Sequence, residues 1–467
     1  MAKIKKGFKA ILNIVATIGK KIYPVFKPLI KLVAAIGKKI YPIFKPLINL
    51  MAALGKKIHR VFKPLIIKLA PIVKKLQQNA RILLQLMKDN IRKYGMFMAL
   101  IVIMIFFYFM TNGISIRPLN VNNIILQNAH IIVLAVGMLF VIVTGNIDLS
   151  VGSVAAFVGS MAAIFMRRMD LPWELATFLG LLIGVLAGMW NGFWIAFMRI
   201  PAFIVTLGGM LIFRGLTLIV LGGQTIGPLS GNFNRISSGF IPDILSGNNF
   251  DLHLLTVLVG LLASVYVIFS GFWKRRRKLK YNFEVVPMWV HVLINVFIII
   301  GINALTLRLA QHRGLPNVSL VLFVIIAVYT FVSKKTKIGR HVYAVGGNRS
   351  AAELSGVNTK KTLFLAYTNM GFLAAVSGLI YAARLNAATP KAGELFELDA
   401  IGSVFIGGAS MAGGIGTVGG AVIGALVMGV INNGMSLLGL GIDWQQVVKG
   451  MVLLMAVWFD IATKNKR

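Results

Sequence analysis

Cysteine is absent from this chain of 467 residues, which excludes disulfides, thiolate metal sites and a cysteine nucleophile. Acid is scarce too, with 13 Asp and Glu against 49 Lys and Arg. All charged residues together make up 13% of the chain, about half the share in an ordinary soluble domain. The six histidines (His59, His130, His253, His291, His312 and His341) form no HExxH motif and no i,i+4 pair, and no acid cluster has metal-site spacing. These absences leave no hydrolytic constellation, so no catalytic residue, metal or cofactor is expected.

What is present is apolar. Hydrophobic residues make up 57% of the chain, and runs such as MALIVIMIFFYFM and HIIVLAVGMLFVIVTG recur at the length a bilayer demands. The net charge of +36 would suggest nucleic acid in a soluble chain; here it does not, and no nucleic-acid partner is expected. The pattern predicts an all-α polytopic membrane protein with roughly 10–12 transmembrane or re-entrant helices. Candidate spans cover 96–114, 124–144, 151–166, 175–197, 203–221, 252–272, 286–307, 317–332, 363–382, 400–412, 417–438 and 445–462. Two of them, 151–166 and 400–412, are too short to cross upright, which predicts broken or re-entrant helices there.

Charge divides the chain in two. Residues 1–93 hold 22 Lys and Arg against one acid, Asp89, while the rest hold 27 against 12. The first part repeats with a period of 18 residues, from Ile18, Ile36 and Leu54, which is five helical turns, so equivalent positions share a face. Lys20, Lys27, Lys31, Lys38, Lys45, Lys56, Lys63 and Lys74 fall within a sector about 40° wide. Pro24, Pro28, Pro42, Pro46 and Pro64 break the run, leaving short basic amphipathic helices that end near Tyr41 and Phe62 and lie on anionic lipid. The expected domains are therefore a basic repeat extension, 1–87, and a membrane domain, 88–467. The three Gly-Lys-Lys triplets lack the flanking Gly and Ser/Thr of a phosphate loop.

The positive-inside rule puts the N-terminal region, Trp273–Lys280, Lys334–Lys361 and the C-terminus in the cytoplasm. Arg167 and Arg168 fall outside, and so does the Gly-, Asn- and Ser-rich segment Gly222–Asp251. An internal echo accompanies this layout. Asp148 precedes Gly152-Ser153-Val154 and Ser160-Met161-Ala162, and Asp399 precedes Gly402-Ser403-Val404 and Ser410-Met411-Ala412. Their opposite parity fits an inverted repeat, although two Gly/Ala/Ser-rich helices would share such letters without one.

Asp148 beside apolar spans has two readings, a functional intramembrane carboxylate or, with Ser150, a cap for the helix starting at Val151. Glu394, Glu397 and Asp399 admit the same two. The glycine-rich stretch Gly407–Thr417 has no Lys and suits close helix packing rather than phosphate. Within the basic loop, Ser350–Ser355 is a short helix candidate bracketed by glycines, able to dock into a partner's cleft or to lie between spans.

At these motifs a resemblance emerges. GNIDLSVGSVAAFVG (Gly145–Gly159), RIPAFIVTLGGMLIFRGLTL (Arg199–Leu218), GRHVYAVGGNRSAAELSGV (Gly339–Val357) and Ala382–Gly420, closing with NNGMSLLGLGIDWQQVVKG, resemble the permease subunit of bacterial ABC importers for monosaccharides. The likeness is to the ribose/xylose class, most of all to the multiple-monosaccharide permease. It covers nearly all of 88–467, and the hydrophobic pair around Trp273–Leu307 matches the longer, xylose-like members.

The resemblance implies import by alternating access in the bacterial inner membrane, with both termini cytoplasmic. It further implies a homodimer, two ATP-binding subunits and an extracytoplasmic sugar-binding protein. Coupling to the ATPase would fall to Gly346, Gly347, Asn348, Ala351, Ala352, Glu353 and Gly356. Candidates for the translocation pathway are Asp148, Ser150, Phe203, Thr206, Glu397, Asp399 and Ser410. The 18-residue repeats have no counterpart in that family. Two other readings stay open on the residues alone: an ion- or proton-coupled sugar carrier with Asp148 or Asp399 as coupling acid, and a membrane scaffold.

Overall fold

The computed structural model describes residues 91–245, 252–283 and 285–464, together with Pro46. The chain separates into two units, Met1–Lys88 and Asp89–Arg467. The first carries the repeats, the lysine stripe and the expected amphipathic helices, and apart from Pro46 it lies outside the described residues.

The second unit is all helix, with fifteen α-helices and no strand among the described residues. They are α1 (Ile91–Met110), α2 (Pro118–Val143), α3 (Val151–Arg167), α4 (Trp173–Ala196), α5 (Ala202–Leu221), α6 (Gly231–Ser238), α7 (Leu254–Lys280) and α8 (Met288–Ala310). There follow α9 (Asn317–Lys335), α10 (Lys337–Gly347), α11 (Arg349–Leu354), α12 (Thr359–Leu385), α13 (Phe396–Ile406), α14 (Val418–Leu437) and α15 (Ile442–Lys464). Eight described helices are long and apolar enough to span a bilayer, and the protein is a multi-pass membrane protein.

Proline sets many of the starts. Pro172, Pro201, Pro287 and Pro316 stand immediately before α4, α5, α8 and α9, where a missing N–H costs no helical hydrogen bond. The expected span 96–114 begins earlier and stops at Met110, because Asn112 and Gly113 take positive φ. α7 runs past 272 to Lys280, since Lys and Arg are good helix formers. The start of α7 is fixed by Asp243, whose carboxylate accepts from the Leu254 and Leu255 amides at 2.6 and 3.2 Å. Burial pushes the Asp243 carboxyl up, but these amides, that of Leu245 and nearby His253 outweigh it and hold the group below its ordinary range.

Helices α2, α12 and α14 form the centre, with 78%, 67% and 72% of their apolar windows buried. α7 and α8 sit at the edge, only 17% and 11% buried. In water such apolar exposure would be untenable, and in a bilayer it is the lipid face. The two edge helices are pinned to each other by Asn303, whose amide donates to Ser264 Oγ at 2.7 Å.

The most extensive helix contact joins α4 to α12. Gly180, Gly184, Gly188 and Gly192 recur every fourth residue, so they lie along one face. A Cβ on Gly188 would sit 2.4 Å from the Tyr367 carbonyl oxygen and 2.9 Å from Gly371 Cα. Small residues are what permit this approach, and packing rather than the hydrophobic effect holds helices together in lipid. Gly188→Leu should therefore lower the thermal midpoint of the detergent-solubilised protein and its membrane yield, at a cost above the usual 1–3 kcal/mol of overpacking. Gly208, with nothing within 4 Å of its Cβ position, should tolerate Ala; equal behaviour of the two variants would contradict this packing account.

Candidate functional site

Two stretches of irregular backbone penetrate the bundle. The ends of the bundle are named here by their landmarks, the α10 end and the α6 end. The first stretch follows α2. Gly145, at φ 80°, ends that helix, and residues 144–150 run back inward so that α3 starts level with Met370, Gly371 and Ala374, the middle of α12.

Asp148 organises this stretch. Its Oδ1 accepts from the Ser150 amide at 2.9 Å and from Ser150 Oγ at 2.6 Å. Ser150 Oγ in turn accepts from the Asn191 amide of α4 at 2.8 Å. The capping reading is therefore corrected. Ser150 occupies the cap position of α3, but no side chain bonds the first-turn amides, because both candidates are committed to each other and to Asn191.

The second stretch, 386–395, enters from the α6 end after α12 stops at Asn386, whose φ is 57°. Ile226 and Ala388 exchange backbone hydrogen bonds. Asn386 Oδ1 accepts from the Leu229 amide at 2.7 Å and from Asn234 Nδ2 at 2.6 Å. Arg214 of α5 donates to the Ala392 carbonyl at 2.7 Å. So held, the segment reaches Gly393, whose Cβ position lies 2.0 Å from the Gly152 carbonyl oxygen. The Glu397 carboxylate lies 2.6 Å from where a Cβ on Gly152 would be. Irregular backbone survives at this depth only because protein covers it.

The N-termini of α3 and α13 are thereby brought together, with Asp148, Ser150 and Glu397 around the start of α3. Asp399, in the first turn of α13, accepts from Lys449 Nζ of α15 at 2.9 Å. Thr206 is buried and donates to the Ala202 and Phe203 carbonyls of its own helix. Phe203 stands apart, 60% exposed on the outside of α5. Ser410 stands apart as well, in the turn between α13 and α14, where its hydroxyl accepts from the Ala412 amide. Each copy of the Asp…Gly-Ser-Val echo sits at the start of a short helix after irregular backbone, but Asp148 precedes α3 whereas Asp399 is inside α13.

Beside this junction His130 of α2 lies between the rings of Phe396 and Tyr381, at centroid distances of 4.5 and 4.9 Å. Its Nδ1 is buried and has no hydrogen-bond partner among the described residues. Tyr381, Phe396, Gly393 and Ala156 line a cavity of about 10 Å³, at the lower limit for one water molecule and far below a sugar.

At the α10 end the expected helix 350–355 is α11, Arg349–Leu354, capped by Asn348 Oδ1 accepting from the Ala351 amide at 2.9 Å. α10, an amphipathic helix where a loop is expected, precedes it and buries Gly339, Val342 and Val345. A Cβ on Gly346 would lie 1.6 Å from the Val143 carbonyl oxygen and 2.7 Å from the Gly414 amide nitrogen. Gly414 itself donates to the Val143 carbonyl at 2.8 Å, and Tyr343 donates its hydroxyl to the Gly416 carbonyl at 2.8 Å. Burial pushes the Tyr343 hydroxyl up, so it stays protonated as that donor requires. Beyond the weld, Ala352 is buried while Glu353 is exposed and Leu354 is 91% exposed.

Residues 120–457 match the family described as branched-chain amino acid transport system / permease component. The chain belongs to this permease family. It is 40% identical over 378 residues to the xylose transport system permease protein XylH of Haemophilus influenzae, covering 81% of this chain and 98% of that one. With XylH of Escherichia coli K12 the identity is 39% over 377 residues, 81% and 93% of the two chains. The ribose import permease protein RbsC of Haemophilus influenzae is 34% identical over 341 residues, 73% and 84%. No solved structure matches. The expected resemblance to ribose/xylose-class permeases thus holds.

Several residues of this candidate site carry little signal in the sequence of this permease. Lys449 had a signal, as the lone cation between Lys391 and Lys464 in an apolar stretch. Leu354 looked like any leucine until α11 placed it in the open. Asn191, Tyr381 and Phe396 lie on helices whose facing is decided by tertiary packing.

Proposed function

We propose that this permease is the membrane subunit of an ATP-driven monosaccharide importer. A separate ATPase docks at the α10 end and a sugar-binding protein docks at the α6 end. Two copies form the channel, in the inner membrane, with the α10 end and both termini cytoplasmic. The relatives named for xylose and ribose support the sugar class. The 1–87 extension is a separate domain resting on anionic lipid.

One observation carries the coupling. Gly346 is wedged between Val143, where the first irregular stretch begins, and Gly414, in the loop that follows α13. A push on α11 through Leu354 and Glu353 therefore reaches the first irregular stretch and, through the 407–417 loop, the far end of α13 at once. Rigid elements with irregular joints at the substrate level are the form in which transporters alternate access. Asn348, Ala351 and Gly356 shape the α11 knob, and Gly347 leaves its open side bare. The pathway opens at the α3–α13 junction, with Asp148, Ser150, Glu397 and the His130–Tyr381–Phe396 cluster on its walls. Asp399 supports α13 from behind, and Thr206, Phe203 and Ser410 lie further from the opening.

The test is Glu353→Lys combined with Leu354→Asp in the assembled complex. Sugar-stimulated ATP hydrolysis and sugar uptake should both be lost while the permease stays in the membrane at its normal level. Unaltered stimulation would overturn the docking assignment. In the carrier reading, these variants would leave gradient-driven uptake untouched.

A further inference from the structure

The geometry points to a binding site for an anionic phospholipid at the α10 end of α7. From Leu254 to Trp273 the helix rises about 30 Å, the thickness of a hydrocarbon core. Everything after Trp273 therefore lies at headgroup level, and Trp itself favours that boundary. Lys274, Arg277, Lys278 and Tyr281 follow at i, i+3, i+4 and i+7, one face of the helix. The chain then doubles back. Tyr281 and Phe283 both donate their amides to the Lys278 carbonyl, at 3.2 and 3.0 Å, which brings the Phe283 ring round beside the cations.

The result is an open cleft of about 510 Å³ lined by Lys274, Arg277, Lys278, Tyr281 and Phe283. Within Trp273–Pro287 six cations face one acid in the sequence, Glu284. Arg275 is turned away, donating to the Val286 carbonyl. The occupant follows from what adjoins the cleft. Leu262, Tyr266, Phe269 and Trp273 form an exposed apolar stripe at spacings of four and three leading up to Arg277. A phosphodiester in the cleft would lay its acyl chains on this stripe, a pairing that a soluble acidic ligand could not use. Each Lys or Arg near an anionic surface contributes about fivefold in relative affinity.

The experiment uses the full-length chain in phosphatidylcholine vesicles containing phosphatidylglycerol, with bromine on the acyl chains of one lipid or the other. Quenching of Trp273, isolated by subtracting the Trp273→Phe protein, reports which lipid touches that position. Preference for phosphatidylglycerol should be at least about fivefold. It should vanish in Lys274→Ala/Arg277→Ala/Lys278→Ala. It should persist in Lys334→Ala/Lys335→Ala/Lys337→Ala, which removes the same charge elsewhere at the α10 end. An unchanged preference in the first variant, or equal loss in both, would overturn the site. So would an intact preference in the first variant accompanied by failure to bind the ATPase subunit, which would make the cleft a protein-docking surface.

Discussion

Asp399→Asn is expected to abolish sugar uptake and to cut the amount of folded permease, while Asp399→Asn with Lys449→Met restores most of both. Asp399 and Lys449 meet at 2.9 Å between α13 and α15, with the carboxylate almost wholly buried. Removing one member of a buried pair leaves the other charge uncompensated, a loss of about 3–5 kcal/mol, whereas replacing both is often neutral. α13 has eleven residues, eight of them buried, so Lys449 left without Asp399 faces a packed helix rather than water. The measurements are the monodisperse fraction after detergent extraction and the uptake of labelled xylose by vesicles. The double variant also separates mechanisms. If Asp399 were the coupling acid of a proton-driven carrier, folding would recover but transport would not. A single variant as stable and active as the parent would end the structural account of this pair.

Hydropathy located the spans, because a lipid-facing or bundle-core helix must be apolar along its length whatever its neighbours are. It also exposed the two weak places, since 151–166 and 400–412 are too short to cross upright, and α3 and α13 are the helices with irregular backbone at their starts. Asp148, Glu397 and Asp399 were legible for the same reason: a carboxylate in an apolar context is costly enough to attract notice. Their partners were not. Asn191 reaches Ser150 only because α4 packs on α12 through its glycines. Lys449 reaches Asp399 only because α15 passes behind α13. Such pairings depend on which helices are neighbours, and local periodicity does not encode that. The helical state of α10 is not encoded locally either. Its glycines at 339, 346 and 347 lower helix propensity, and the helix forms because Gly339 and Gly346 must fit against the backbone of α9 and α2.

That last fit yields a sharp contrast between adjacent residues. Gly346→Ala should reduce sugar uptake more than about tenfold, as a clash beyond ordinary overpacking implies, while ATP hydrolysis by the complex continues without responding to sugar. A methyl 1.6 Å from the Val143 carbonyl oxygen cannot be accommodated by a side-chain rotation, because what it meets is backbone on both sides. α10 must lift away from α2, from the 407–417 loop, or from both. Either movement breaks the route by which α11 would drive the first irregular stretch and the far end of α13. Gly347→Ala should be silent, since nothing lies within 4 Å of its Cβ position and its φ is ordinary. The two substitutions share chemistry, helix and a gain in helix propensity, so any general effect on α10 would appear in both. Equal membrane levels of the two variants, with uptake lost in one alone, would trace coupling to the contact of Gly346 with Val143 and Gly414. Failure of both, or of neither, would place the coupling route elsewhere.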